Sequence, residues 1–314
     1  LNQDGLPEIL LAGCNLVYRN QGGGRFQHEP MLRNPIMPLG EAGILSDFNG
    51  DGHVDFVSTG KEDGLLRLWT GSAGGQFTAR PSVCFQGRYE NQHTMTAADI
   101  DLDGDLDLFV GQWKQPYLRG SMPTPYYDAN DGYPDTLLLN NGTGQFTDGT
   151  EAAGLSAKRN RRTYSASFAD LDGDHDLDLF TVCDFSGIDL YRNDGKGKFT
   201  DVTDQWVKQR HGFGMSHAVN DFDGDGALDI YMVGMSSTTA RRLDQLGLGR
   251  EGFEKLDAMR APMTYGNRLF LGGKAGFRQP DYSGDVARTG WAWGCGSADF
   301  DNDGDMDLYV ANGH

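Results

Sequence analysis

One nine-residue pattern restricts what this chain can fold into more than any other feature: Asp299-Phe300-Asp301-Asn302-Asp303-Gly304-Asp305-Met306-Asp307. Carboxylates at positions 1, 3, 5 and 9, with glycine at 6, can wrap oxygen ligands around one hard cation. The carbonyl of position 7 is free to complete the shell. A helix–loop–helix site would place a glutamate at position 12, on a following helix. Here position 12 is Val310, inside the β-prone run Leu308-Tyr309-Val310, so the loop feeds a strand.

The pattern recurs along the chain. Six copies align: Asn2, Asp4 and Glu8 at positions 3, 5 and 9; then Asp47, Asn49, Asp51 and Asp55; and Asp99, Asp101, Asp103 and Asp107. They continue with Asp170, Asp172, Asp174 and Asp178; Asp221, Asp223, Asp225 and Asp229; and Asp299, Asp301, Asp303 and Asp307. The fourth copy departs at position 6, where His175 replaces the glycine that a sharp turn favours. One Asp-rich loop is ordinarily a solvated turn. Six in phase point to as many as six calcium sites.

Each loop is followed by an apolar run such as Leu108-Phe109-Val110 or Ile230-Tyr231-Met232-Val233, suited to a strand covered on both faces. A glycine-rich hairpin ending in phenylalanine comes next, as in Tyr191-Arg192-Asn193 to Phe199. A further strand leads into the next loop. Every unit therefore reads strand A, acidic loop, strand B, strand C, hairpin, strand D. Four-strand units in tandem are propeller blades, so the expected fold is all-β: a β-propeller of four-stranded antiparallel blades, with residues 1–314 as a single domain.

Spacing adds the position of the variable parts. From a hairpin Phe to the next loop is 21 to 24 residues (Phe26 to Asp47, Phe146 to Asp170). From a loop to its own hairpin Phe is 29 residues in one unit (Asp170 to Phe199), but 47 in another (Asp99 to Phe146) and 56 in a third (Asp221 to Phe277). All the variation lies between strands B and C. Two insertions, 112–135 and 235–266, should therefore rise from the face opposite the acidic loops, and loops on a rigid scaffold are where binding usually resides. The first carries Trp113, Tyr117, Tyr126 and Tyr127, rings able to stack on sugar or peptide or simply to pack the loop down. The second carries Arg241 and Arg242, together with Leu243, Leu246, Phe253, Leu256 and Met259 at near-helical spacing, which predicts two short helices with their apolar side down.

Aligning strand A of each unit brings Glu41, His93, Arg162, Tyr164 and His217 to the large-residue face near the ring axis. Polar groups there need partners or solvent, and most are structural contacts. The alternative is a channel-end cluster, with His93 or Tyr164 as base and Arg162 neutralising a substrate carboxylate, His217 nearby. No Ser-His-Asp, phosphate-loop or His-Glu-x-x-His signature accompanies it.

The formal charge of −18 disfavours a nucleic-acid partner, and no apolar run is long enough to insert in a membrane. Six divalent ions would bring that charge to −6, so the acidity belongs mainly to the loops. Cys14, Cys84, Cys183 and Cys295 lack zinc-like spacing and read as free, buried thiols. Loops of this kind suit millimolar calcium, which favours a secreted, periplasmic or cell-surface location.

The loop and hairpin in five or six copies resemble the FG-GAP/VCBS repeats shared with integrin α-subunit heads. Thr289-Gly290-Trp291-Ala292-Trp293-Gly294, running through the last acidic loop to Val310-Ala311-Asn312-Gly313-His314, is similar to bacterial cartilage-acidic-protein-like (ASPIC/UnbV-associated) members. Arg192-Asn193-Asp194-Gly195 and Phe199-Thr200-Asp201-Val202-Thr203 point the same way. The resemblance implies calcium-stabilised, usually exported, seven-bladed propellers that bind proteins or glycans. Five hairpins and six loops do not close such a ring, so the expectation is part of a longer chain with further blades or domains. Three functions compete: a binding or adhesion module, a carbohydrate-active enzyme (a polysaccharide lyase or hydrolase) on the same scaffold, and a rigid structural domain of a multi-domain surface protein.

Overall fold

The computed structural model describes residues 1–2, 4–33 and 35–313. Six antiparallel sheets follow one another along the chain. The first holds β1 (Ile9–Leu11), β2 (Leu16–Asn20) and β3 (Phe26–Pro30); the second, β4 (Leu39–Ser46), β5 (Asp55–Gly60), β6 (Leu65–Trp69) and β7 (Ser82–Arg88). The third holds β8 (Gln92–Ala98), β9 (Asp107–Gln112), β10 (Thr136–Asn140) and β11 (Phe146–Asp148). The fourth holds β12 (Arg162–Ala169), β13 (Asp178–Asp184), β14 (Gly187–Asn193) and β15 (Phe199–Asp201), followed by the one-turn helix α1 (Thr203–Trp206). The fifth has β16 (Gly214–Asn220), β17 (Asp229–Gly234) and β18 (Arg268–Phe270); the sixth, β19 (Ala292–Ala298) and β20 (Asp307–Asn312). The fold is all-β, with several four-stranded antiparallel sheets, and is consistent with a repeat β-propeller.

Strand order inside each sheet is sequential, and the first strands β4, β8, β12, β16 and β19 lie each against the next. Hydrophobic layers fill the space between neighbouring sheets. In β13, Leu179 enters the layer shared with the third sheet, while Phe180 enters the layer shared with the fifth. Both faces of the B strands are therefore covered, and β5, β9, β13 and β17 are buried along their whole length. That coverage is why β9, β13 and β17 carry largely apolar runs instead of alternating, whereas β5 buries Ser58 and Thr59 by bonding them to the Ala42 carbonyl and the Gln92 side chain. Each fully buried Leu, Val or Phe contributes about 1.5–3 kcal/mol, so the layers are the main source of stability.

The fourth strand is the least regular part of the repeat. In the second sheet Phe77 stays in the loop, packed on Phe56, and β7 starts only after Pro81. In the fifth sheet it shrinks to one bridge, Leu271 to Arg278, because Pro280 has no N–H for the next rung.

β9 runs from Asp107 at its acidic loop to Gln112, where the first insertion departs; β17 runs likewise from Asp229 to Gly234. The second insertion contains α2 (Thr238–Gln245) and α3 (Glu254–Met263), the two helices expected. Their apolar residues are not all turned down, however. Met263 is buried and Met259 packs beside it, but Leu243, Leu246 and Phe253 are exposed. Arg260 draws Asp244 and Asp257 to the junction of the two helices, so polar contacts occupy part of their contact surface.

The four cysteines are free; Cys84 and Cys183 are buried as expected, whereas Cys14 is exposed. No helix among the described residues is long and apolar enough to cross a membrane.

Candidate functional sites: acidic loops and an aromatic cup

The acidic loops repeat one hydrogen-bond scheme. The first Asp accepts the amide of position 5 on one oxygen in Asp47, Asp99, Asp221 and Asp299. Its other oxygen accepts the amide of position 6, from Gly52, Gly104, Gly226 and Gly304, and from His175 in the departing copy. Position 6 needs the left-handed backbone, and His175 adopts it with φ 75°. Position 4 is left-handed too, even where it is Leu102 (φ 61°) or Asn302 (φ 62°), a constraint the sequence alignment did not expose.

The ninth residue has two tasks. Asp178 lies fully buried and accepts the amides of Leu171 (3.1 Å) and Asn193 (2.8 Å), joining its loop to the end of strand C. Asp55 does the same with Phe48 and Gly71, and Asp229 with Phe222 and Gly272. These carboxylates staple the blade as well as facing the loop interior. Asp307 retains the first of the two bonds, from Phe300.

Among the described residues, four clusters bring three carboxylates within 4.8 Å of one another: Asp99/Asp101/Asp103, Asp170/Asp172/Asp178, Asp221/Asp223/Asp225 and Asp299/Asp301/Asp303. Burial, then neighbouring carboxylates, push Asp107 and Asp178 up to about 7 against the opposing pull of backbone amides. Asp101 Oδ1 and Asp107 Oδ2 are buried without a hydrogen-bond partner. All-oxygen donors, like charges crowded together and orphaned buried oxygens fit a hard divalent cation. In the first copy, Asn2 donates its side-chain amide to the Asp4 carboxylate at 2.9 Å, so two of the expected ligands lie side by side.

At the other end of the B strands, between the two insertions, lies a cup of about 420 Å³. Trp113, Tyr117, Tyr126 and Tyr127 of the first insertion all line it, together with Tyr164 of β12. Tyr126 contacts Tyr127 and Phe185 at ring-centroid distances of 4.4 and 5.4 Å, and Trp113 lies 5.3 Å from Tyr164. The hydroxyls of Tyr117 and Tyr126 bond to each other at 2.9 Å. Tyr117, Tyr127 and Phe185 all have left-handed backbones, with φ of 60°, 70° and 62°. Such conformations are unfavourable for large side chains and persist where the surroundings enforce them. Ala129, fully buried, donates its amide to the carbonyl of Phe185 and ties the insertion to the β13–β14 turn.

Asp184, at the end of β13, is the cup's one ionisable acid and is 4% exposed. Burial pushes its carboxyl up to about 7, opposed by the charge of Arg162, its partner across the β12–β13 ladder. The Phe185 amide and the Trp113 indole lie beside it and also favour the ion, yet Trp113 Nε1 completes no hydrogen bond of normal geometry.

The expected channel-end cluster is only half assembled. His93 meets Tyr164 edge-on at 4.8 Å and lies 3.6 Å from Glu41. Arg162 is fully buried and gives Nε and Nη2 to Asp131 at 3.0 and 2.9 Å, and Nη1 to the carbonyl of Lys114, so it is a structural clamp on the first insertion. His217 sits between blades, with its two ring nitrogens bonded to Ser165 and Ser167. Burial holds its pKa down at about 4, so the imidazole is neutral. Arg241 and Arg242 on α2 do not line the cup; the second insertion contributes Met235, Ser237 and Thr264 instead.

Sequence reasoning missed Asp184 and Phe185 as site residues. Their signal was an acidic–aromatic pair in a tight B–C turn, two residues before Gly187 (φ 98°), where small residues are usual. Phe213, Met215, Trp291 and Trp293 stood in the strand A alignment, but their convergence on one cup depends on how the blades face each other.

Among solved structures, the chain is similar to an Agrocybe aegerita lectin specific for non-reducing terminal N-acetylglucosamine, at 19% identity and TM-score 0.48, covering 95% of this chain and 65% of that one. It is also similar to the Vibrio cholerae biofilm matrix protein Bap1, at 17% identity and TM-score 0.35, covering 64% and 25%. A Bacillus licheniformis rhamnogalacturonan lyase aligns at 14% identity and TM-score 0.41, covering 94% and 63%. The chain thus spans less than two thirds of each of these proteins. The FG-GAP-like repeat family matches three segments, residues 47–110, 127–181 and 176–232. With more than half of its length matched, and four of the six acidic loops inside those segments, the chain belongs to the FG-GAP-like repeat family.

Proposed function

We propose that this protein is a calcium-stabilised binding module, built on blades of a seven-bladed propeller, that captures a glycan or protein ligand in the aromatic cup. It would act outside the cytoplasm, as a secreted, periplasmic or cell-surface protein, where millimolar calcium fills the loops. The carboxylates of the acidic loops hold the ions; an ion there offsets the repulsion among buried aspartates and fixes one end of each blade. The insertions at the opposite face then carry the ligand site. The cup is the observation that carries the reading: a concave, preformed, largely apolar surface with few polar groups is the usual form of a small-ligand site.

The alternative, a carbohydrate-active enzyme, requires a base beside a free arginine. Arg162 is committed to Asp131, and His217 to two serines. Binding without chemistry is the better-supported function.

Trp113, Trp291 and Trp293 report on the cup directly. A screen of glycans and peptides by tryptophan fluorescence should find ligands whose binding falls at least tenfold in Trp113→Ala and Tyr126→Ala. Ligands that bind both variants unchanged would place the site elsewhere.

A further inference from the structure

Taking the cup as the ligand site, we propose that it recognises a methylated ammonium group, caged by the rings of Trp113, Tyr126, Tyr127, Tyr164 and Trp293 with Asp184 as its counter-charge. Aromatic faces are negative and attract cations, best where water is excluded. Among the described residues no basic side chain lines the cup, and Asp184 is its one carboxyl, which a bound cation would draw into the charged form against the effect of burial. Burial holds Tyr126 and Tyr164 well above the ordinary phenol pKa, so both rings stay neutral phenols.

The carboxylate of Asp184 needs a partner that the protein does not fully supply. Arg162 is its nearest cation by sequence pairing, but the guanidinium is bound on three sides by Asp131 and Lys114. The Phe185 amide and the Trp113 indole beside the Asp184 carboxyl are neutral donors and leave its charge unbalanced. A cation entering the cup would meet this acid with no competing positive charge on the lining.

The cup's polar complement also selects against a bare sugar. A pyranose presents several hydroxyls, and each left unpaired in a buried site carries a penalty. Ser237 already accepts the Ala240 amide, Thr264 donates to the Arg260 carbonyl and the hydroxyls of Tyr117 and Tyr126 satisfy one another, which leaves chiefly the phenols of Tyr127 and Tyr164 to meet a sugar. A quaternary ammonium has no N–H to satisfy and needs only charge complementarity and van der Waals contact. A cavity of about 420 Å³ is larger than a trimethylammonium head, so the head would sit against Asp184 while the remainder of the ligand fills the mouth between the insertions.

The test titrates the intact protein with choline and with its neutral isostere 3,3-dimethylbutan-1-ol, reading tryptophan fluorescence and heat. Choline is expected to bind at least tenfold more tightly, and Asp184→Asn should remove most of that preference while leaving the isostere unchanged. Trp293→Leu should weaken choline at least fivefold, and melting curves establish that both variants are folded. Phosphocholine and trimethyllysine, run alongside, distinguish a lipid or glycan headgroup from a modified side chain. Equal binding of choline and isostere overturns the proposal, leaving an apolar ligand site. Binding of maltose or another neutral glycan, with none of choline, overturns the proposal while the binding-module reading survives. If no probe or screened ligand perturbs the cup tryptophans, both fail.

Discussion

Asp189 offers the sharpest test of how the first insertion is held. This aspartate of β14 is fully buried and meets Lys158 at 2.7 Å, Arg161 at 2.8 Å and Arg210 at 3.6 Å. Arg161 and Arg210 both continue to Asp128 of the insertion, at 2.9 and 3.0 Å. The three cations hold its carboxyl below the usual range although burial alone would raise it. Asp189→Asn keeps the shape and removes the charge, leaving buried cations short of a counter-ion. Breaking a buried pair from one side costs about 3–5 kcal/mol. At about 2 °C per kcal/mol for a chain of this size, the melting temperature should fall by roughly 6–10 °C. Asp204 makes the control: it meets Arg210 at 3.4 Å but is 91% exposed, so Asp204→Ala should change stability by under about 1 kcal/mol. Denaturation in urea, with and without chelator, measures both. Because Asp189 is no ligand of the acidic loops, its deficit should be the same with EDTA as with calcium. A loss below 1 kcal/mol, or an equal loss in Asp204→Ala, would refute the hub.

The remaining predictions concern other parts of the molecule. Calcium at 100 times its Kd should stabilise by about 2.7 kcal/mol per site, and Asp172→Ala should forfeit one site's share in calcium while costing under about 0.5 kcal/mol in EDTA; an EDTA-insensitive melting temperature would sink the calcium reading. His217, held down at about 4 in the folded state against an unfolded value near 6.5, binds its proton more weakly folded than unfolded. Its contribution is therefore intact above pH 6.5 and lost as pH falls towards 4, at most about 3 kcal/mol, seen as a shallower acid limb in His217→Gln; identical limbs in the two proteins would disprove it. Cys14 should react with a thiol reagent in the native protein, whereas Cys84 and Cys183, buried and pushed up to about 12, should react only on unfolding. Rapid native labelling of three thiols would show that the blades open readily.

Much of the fold was readable because the repeat is written twice, once in the acidic loop and once in the hairpin phenylalanine. Phase between them fixes which strand follows which, and the structure reproduces that order from β4 to β18. Strand ends were less readable. Pro81 and Pro280 change where a fourth strand can pair, a local steric effect that repeat alignment averages away. The site divides similarly. Trp113, Tyr117, Tyr126 and Tyr127 stand together in one insertion, so their grouping survives in the sequence. Arg162 did not announce itself as a clamp, because Asp131 lies 31 residues before it and nothing in the spacing pairs them. The partners of His217 were hidden for a related reason: strand periodicity gives the face of a residue but not whether a neighbouring blade supplies serines to fill it.

The two insertions are of different kinds, and this bears on how the cup works. The first is locked: Arg162 grips Asp131, Arg161 and Arg210 grip Asp128, and Arg161 also donates to the carbonyls of Asp128 and Ala129. These contacts hold Tyr117 and Tyr127 in left-handed conformations that they would leave if freed. The second is anchored at its ends, through Asn267 to the amide of Gly234 and Arg268 to the carbonyl of Pro262, while Leu246, Leu248 and Phe253 remain exposed along its length. A cup with one rigid aromatic wall and one loosely covered wall orders few side chains on the Trp113–Tyr127 side when a ligand arrives, so that side adds little entropic cost to binding. Selectivity should then reside in the rigid wall and Asp184, and substitutions on α2 and α3 should alter the rate of ligand entry more than the choice of ligand.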